Sequence, residues 1–239
     1  MRRLLLTLIL FLCALPAQGA ISRVQHANTN QTSNVSSTTI SFSSNTAATN
    51  FLSACVRAGN KSTTLSITDG QSNTWNSVVS VQVTGTGNGE LLQCFEAHNT
   101  AGGADTLTVS TTLSTTLRIA IAEYSGVATT SPIDSSNSNT GSSASPQSNS
   151  ITPAANNELI IAAGSVDAAE TFTAGTNFTM FEVVPAAPSK LGMEDWVQTT
   201  ATATNGPMTL SGSDSWGAVV FAVKPSGGAA TPSKPPVVL

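Results

Sequence analysis

Between residues 21 and 224 the apolar positions come in short runs spaced by Ser, Thr, Asn and Gly, and nowhere do they recur at the interval of an amphipathic helix. Runs rich in Val, Ile, Thr and aromatic residues predict strands at 38–42, 50–57, 64–68, 78–83, 90–97, 106–110, 117–124, 158–163, 180–184, 194–199, 208–211 and 216–224. Turn formers separate them, including Asp69-Gly70, the glycine-rich 85–89, Gly102-Gly103, Gly175-Thr176-Asn177 and Asn205-Gly206-Pro207. Many short strands with frequent turns predict an all-β fold, a jelly-roll-like β-sandwich. The continuous apolar stretches 119–122 and 158–163 predict central strands covered on both faces, whereas the alternating 106–110 predicts one solvated face.

The pattern recurs in diverged form about 100 residues later. Ala47-Ala48-Thr49-Asn50-Phe51-Leu52 resembles Ala154-Ala155-Asn156-Asn157-Glu158-Leu159. Thr106-Leu107-Thr108-Val109-Ser110 resembles Pro207-Met208-Thr209-Leu210-Ser211, and Ile119-Ala120-Ile121-Ala122 resembles Val219-Val220-Phe221-Ala222. Each half, about 38–126 and 150–224, has barely enough apolar strand to bury a core of its own. The expectation is one domain over 20–224 with an internal repeat. Residues 129–150, rich in Ser, Asn and Gly around Pro132 and Pro146, read either as a flexible connection or as two polar edge strands.

The ends differ from this pattern. Arg2 and Arg3, the apolar run 4–15 and the small-x-small Ala17-Gln18-Gly19 predict a signal peptide over 1–19 and a secreted or cell-envelope location. That run is short of the roughly 20 residues that span a bilayer, and no later one is longer, so the mature chain is expected to have no transmembrane segment. Residues 225–239, rich in Pro and Gly, read as a flexible tail. Cleavage removes Cys13 and leaves Cys55 and Cys94, each within a predicted strand. An even pair in an oxidising compartment is a disulfide candidate, against the alternative of two buried thiols.

Composition narrows the function classes. Only 9% of the 239 residues are charged, with 9 Lys+Arg against 13 Asp+Glu, and Ser and Thr make up about a quarter. Loss of Arg2 and Arg3 takes the net charge from −4 to −6. Nucleic acid and anionic membranes are poor partners for such a surface. Two His and three Cys are too few for a zinc cluster, and no cofactor is expected.

Ala122-Glu123-Tyr124-Ser125-Gly126-Val127, followed by Ser131-Pro132-Ile133-Asp134, and the closing stretch Ser215-Trp216-Gly217-Ala218-Val219-Val220-Phe221-Ala222-Val223-Lys224 resemble a group of secreted bacterial jelly-roll-like β-sandwich proteins with no established activity. The resemblance implies that fold over residues 21–224 and an envelope or extracellular setting. It implies no functional residues.

Candidate chemistry is sparse. A serine hydrolase needs Ser, His and an acid in hydrogen-bond reach, but only His26 and His98 are present and no Gly-x-Ser-x-Gly occurs. A glycosidase needs two carboxylates about 5–10 Å apart. Glu194 and Asp195 are neighbours on a predicted strand and face opposite ways, so Glu194 would need Glu96 as its partner. Carbohydrate binding asks less: an aromatic platform and amide or carboxylate groups for the hydroxyls. Trp75, in a polar loop between Asn73 and Asn76, is the leading candidate platform, and Tyr124 would place its hydroxyl at the rim. Trp75 plugging the end of the sandwich is the structural alternative. Structural calcium is conceivable at Asp69 or Asp134, but no Asp-x-Asp-x-Asp-Gly array supports it. The leading expectation is a non-enzymatic secreted sandwich for surface display, adhesion or matrix interaction, with weak glycan binding and a glycan or another extracellular protein as partner. The alternatives are a polysaccharide-cleaving hydrolase or lyase, and a structural spacer or assembly subunit.

Overall fold

The computed structural model describes residues 20–227. Residues 1–19, where the signal peptide is expected, and residues 228–239 of the expected tail lie outside the described residues. The fold is all-β. Its strands are β1 (Ser22–Ser41), β2 (Phe51–Ala58), β3 (Leu65–Asp69), β4 (Asn76–Val83), β5 (Glu90–Ala97), β6 (Thr106–Ser125), β7 (Ile133–Ser143), β8 (Glu158–Glu170), β9 (Phe172–Thr173), β10 (Thr179–Val184), β11 (Ser189–Gln198), β12 (Thr209–Leu210) and β13 (Asp214–Val223). Among the described residues no helix is long and apolar enough to cross a membrane.

Two antiparallel sheets face each other. One has the order β1-β6-β2-β5-β4, with β3 also paired to β6, and the other has the order β10-β11-β8-β13-β7. Across the sandwich β1 meets β10, β2 and β6 meet β11, β5 meets β8 and β13, and β4 meets β13 and β7. The chain finishes the first sheet before it begins the second. The expected sandwich is therefore present, but the order is not that of a jelly roll, whose Greek keys carry the chain from sheet to sheet. One strand order runs through both halves: β1-β6-β2-β5-β4 reads as β7-β13-β8-β11-β10, and the pair β3–β6 has its counterpart in β9–β12.

Burial explains why these sequences form these strands. Between the sheets lie Phe51, Cys55, Leu92, Cys94, Ala120 and Ala122 from one side and Leu159, Ile161, Met193, Val219 and Phe221 from the other. A second apolar layer covers the outer face of the first sheet, where Ile40, Leu65, Ile67, Leu107 and Val109 pack on Leu52, Val56, Ile119 and Ile121. A third does the same for the second sheet, with Phe172, Met208 and Leu210 on Ile160, Ala162 and Val220. The middle strands β2, β8 and β13 are thus buried on both faces, as their unbroken apolar runs require.

Two differences from the expected strands have clear causes. β1 begins at Ser22 rather than near residue 38, because it is an edge strand whose inward positions carry Arg23, His26 and Asn28 instead of apolar side chains. The predicted strands 106–110 and 117–124 are one strand, β6, whose polar middle (Thr111, Thr112, Ser114, Thr115, Thr116) hides the continuity. Part of residues 129–150 forms the polar edge strand β7, not a flexible connection. Asn137 and Asn139 donate side-chain amides to the carbonyls of Ser150 and Gln147, and Asn149 donates to Ser138, so protein groups occupy this edge.

Cys55 and Cys94 stand directly opposite each other on β2 and β5 and are joined as a disulfide, buried between the sheets.

Candidate functional site

The loop between β3 and β4 is built around one carboxylate. Oδ1 of Asp69 accepts the backbone N–H groups of Gln71 (3.1 Å) and Asn73 (2.9 Å). Oδ2 accepts Asn73 Nδ2 and Trp75 Nε1, each at 2.8 Å. Local side-chain bonds of this kind make Asp a turn residue. They also commit both oxygens to N–H donors, which is why Asp69 is a loop organiser and not the calcium ligand considered from sequence. Asp134 lies on β7 in the other sheet, where Oδ2 accepts the Ala154 N–H at 2.9 Å. No group of three or more His, Cys, Asp or Glu among the described residues is arranged to hold a metal.

The ordered loop forms one wall of a cleft of about 610 Å³. Gln71, Ser72, Asn73, Thr74 and Asn76 line it from this side, and His98, Asn99, Ala101 and Thr129 from the other. Ser72 and Asn99 both adopt left-handed backbone, at φ 58° and 51°. For Asn that is a tolerated conformation, while for Ser it costs on the order of 1 kcal/mol.

Beneath the cleft is Glu96, 3% exposed. It shares its strand face with Cys94 and Leu92, which point into the inter-sheet core. Oε1 accepts Asn76 Nδ2 at 2.8 Å, and the carboxylate meets His98 Nδ1 at 2.9 Å. An ionised carboxylate only accepts, so in the neutral ring Nδ1 carries the proton and Nε2 is left as an acceptor. The buried charge therefore fixes two cleft residues, an amide and an imidazole.

The sequence candidates separate on inspection. Asn73 and Asn76 are in the cleft, although Asn73 spends its amide on Asp69 and on the Ala101 N–H. Trp75 is not a platform: its ring packs on the outer core of the first sheet and its N–H is bound to Asp69. Tyr124 is fully buried rather than at the rim, and its hydroxyl donates to Asp195 Oδ2 at 2.8 Å. Burial and that neighbouring negative charge push the Tyr124 hydroxyl well above its usual range.

Glu96 and Glu194 do not form a pair. Met193 points into the inter-sheet core while Trp196 packs on the outer apolar layer, so Glu194 shares the outer face with Trp196. The second sheet lies between Glu194 and Glu96. Glu194 is 0% exposed, with Oε2 accepting the Gly175 N–H and Oε1 without a partner. Burial pushes it up to about 8.

In the sequence His98 stands out only as a possible triad member, and Gln71, Ser72, Thr74, Asn99 and Thr129 carry no mark that sets them apart from other polar loop residues. The two polar segments, after β3 and after β5, are brought together only by the fold, where Asn73 Oδ1 accepts the Ala101 N–H and Gln71 Nε2 donates to the Ala104 carbonyl. No protein-family model, curated protein or solved structure matches this chain.

Proposed function

We propose that this chain is a secreted, non-enzymatic β-sandwich displayed outside the cell, and that it binds a neutral polyhydroxylated ligand, a glycan, in the cleft above Glu96. The observation that carries the reading is the chemistry of the lining: side-chain amides and hydroxyls, one imidazole, and no Lys, Arg, Asp or Glu. Such walls match hydroxyl groups, which both donate and accept. An anionic ligand would find no cation there. A hydrophobic one would find little of the apolar surface that most small-molecule pockets offer. The same lack of an aromatic platform points to weak affinity. The Cys55–Cys94 disulfide supports an oxidising compartment, and the Glu-Tyr-Ser-Gly and closing Trp…Lys stretches support membership of the secreted bacterial sandwich proteins they resemble. The two-carboxylate hydrolase loses its pair, because a sheet separates Glu96 from Glu194.

A glycan array and pull-down on neutral polysaccharides test this, with Asn76→Ala and His98→Ala as controls. Retention of at least one neutral glycan, weakened severalfold or more in both variants, is the expected result. Absence of retention across the panel, or retention unaffected by both substitutions, contradicts it.

A further inference from the structure

A small three-stranded layer covers the outer face of the first sheet. Past the register shifts between Gln31 and Ser37, β6 pairs with β1 on one side and with β3 on the other. Ile40, Leu65, Ile67, Leu107 and Val109 of this layer pack inward on the sheet. The residues that alternate with them point outward, and each of those is a serine or a threonine.

Strand register sorts these hydroxyls into rows. Ser37, Ser110 and Ser66 lie side by side on β1, β6 and β3, and the next row is Thr39, Thr108 and Thr68. A third row holds Ser41 and Thr106, whose hydroxyls are hydrogen-bonded at 2.8 Å. The flanking members are exposed, and Thr108 and Ser110 on the middle strand are half-buried between their neighbours. Ser and Thr make up about a quarter of the chain, yet no other residue type interrupts these rows.

We propose that this hydroxyl face adsorbs to ice. Its chemistry disfavours other partners in turn. No side chain on it is charged, so an ionic surface finds nothing to pair with. None is aromatic, so sugar rings find no stacking platform, and none is a large apolar group for a hydrophobic partner to cover. Water is what a hydroxyl matches as both donor and acceptor, and in ice the oxygens are fixed in a repeat. The face is itself a repeat. Its strands lie about 4.8 Å apart in one direction and alternate residues about 6.7 Å apart in the other, a mesh of the same order as the oxygen spacing on ice. The sheet fixes the backbone and β-branching stiffens the threonine side chains, so little freedom is lost on docking to a rigid lattice. The face shares no residue with the cleft above Glu96.

Slow growth of ice through a dilute solution of the purified protein tests this. The protein should be enriched severalfold in the ice fraction over an inert protein of similar size. Thr39→Lys and Thr68→Lys, both at exposed positions, should each lower that enrichment severalfold at an unchanged melting temperature. Asn76→Ala, which removes a cleft side chain, should leave it as it was, so the glycan reading and this one fail separately. Exclusion of the unsubstituted protein from the ice overturns the proposal. So does enrichment that survives both lysine variants, or that Asn76→Ala abolishes.

Discussion

Glu96 grips His98 from below, its carboxylate 2.9 Å from Nδ1, and the same carboxylate takes the side-chain amide of Asn76 at 2.8 Å. One buried charge at the end of β5 thereby sets the floor of the cleft. In Glu96→Ala both partners lose their acceptor but keep access to water, Asn76 being exposed and His98 half-buried, so the loss is the ordinary net worth of the bonds, about 0.5–1.5 kcal/mol each. The variant should unfold at correspondingly lower urea concentration, with the His98 and Asn76 side-chain NMR signals displaced. Unchanged stability and unchanged signals would show that the grip is not formed in solution.

Tyr124 and Arg23 converge on Asp195 across the two sheets. The Tyr124 hydroxyl lies 2.8 Å and Arg23 Nη1 2.6 Å from the same oxygen, Oδ2. Arg23 also stacks 4.3 Å above the Phe181 ring. Tyr124→Phe removes one bond from this junction and should cost about 1 kcal/mol, the ordinary net worth of a hydrogen bond. Asp195→Ala strands both donors and should cost more. Chemical denaturation of the two variants checks the order, and equal stability of both with the unsubstituted protein would contradict it.

The disulfide closes a loop of sequence separation 39 across adjacent strands. Chain-entropy reasoning gives about 3–4 kcal/mol for a loop of that length. The double substitution Cys55→Ala with Cys94→Ala should lower the stability by roughly this amount, plus a small cavity contribution. A thiol reagent should leave Cys55 and Cys94 unmodified in the non-reduced protein, and their full reaction would mean that the bridge is absent.

The pH dependence should run opposite to that of proteins held together by paired carboxylates. Asp105 is 3% exposed, its carboxyl facing Asp69 and the backbone of Gly70 and Thr106. Burial and then the nearby Asp69 charge push it up to about 6. Glu194 is raised further, to about 8. A carboxyl raised in the folded state stabilises fully only below its unfolded value, and that stability is lost as pH rises through the folded one. These two groups therefore make the protein more stable near pH 4–5 than near pH 8.5. Asp105→Asn and Glu194→Gln should each flatten the decline, as read from urea midpoints across that range. A midpoint that rises with pH in the unsubstituted protein would refute the assignment.

Much of the fold was legible because the central strands are covered on both faces. Runs such as Ile119–Ala122 and Leu159–Ala163 have nowhere else to go, and Cys55 and Cys94 were placed on strands that pair. The edges were harder. β1 hides its alternation because Arg23, His26 and Asn28 take inward positions to reach Asp195 and Glu182 on the facing sheet. The similarity between the halves was visible, but the matched stretches set Leu52 against Leu159, whereas Phe51 and Leu159 hold corresponding inward positions, opposite Tyr124 and Val223. A one-residue slip sends every side chain to the other face, and so the sequence match alone misjudged which groups meet. The cleft was half legible. Asn73 and Asn76 stood out in a polar loop, but the role of Trp75 depends on Asp69, a contact six residues back that only the folded loop brings about.

The cleft above Glu96 is tested most directly by an amide-resolved NMR titration of the protein from residue 20 onward with neutral oligosaccharides. The predicted result is a saturable set of shifts confined to residues 71–76, 98–101 and 129, lost in His98→Ala. Shifts centred elsewhere on the sandwich, or none at millimolar sugar, would contradict it.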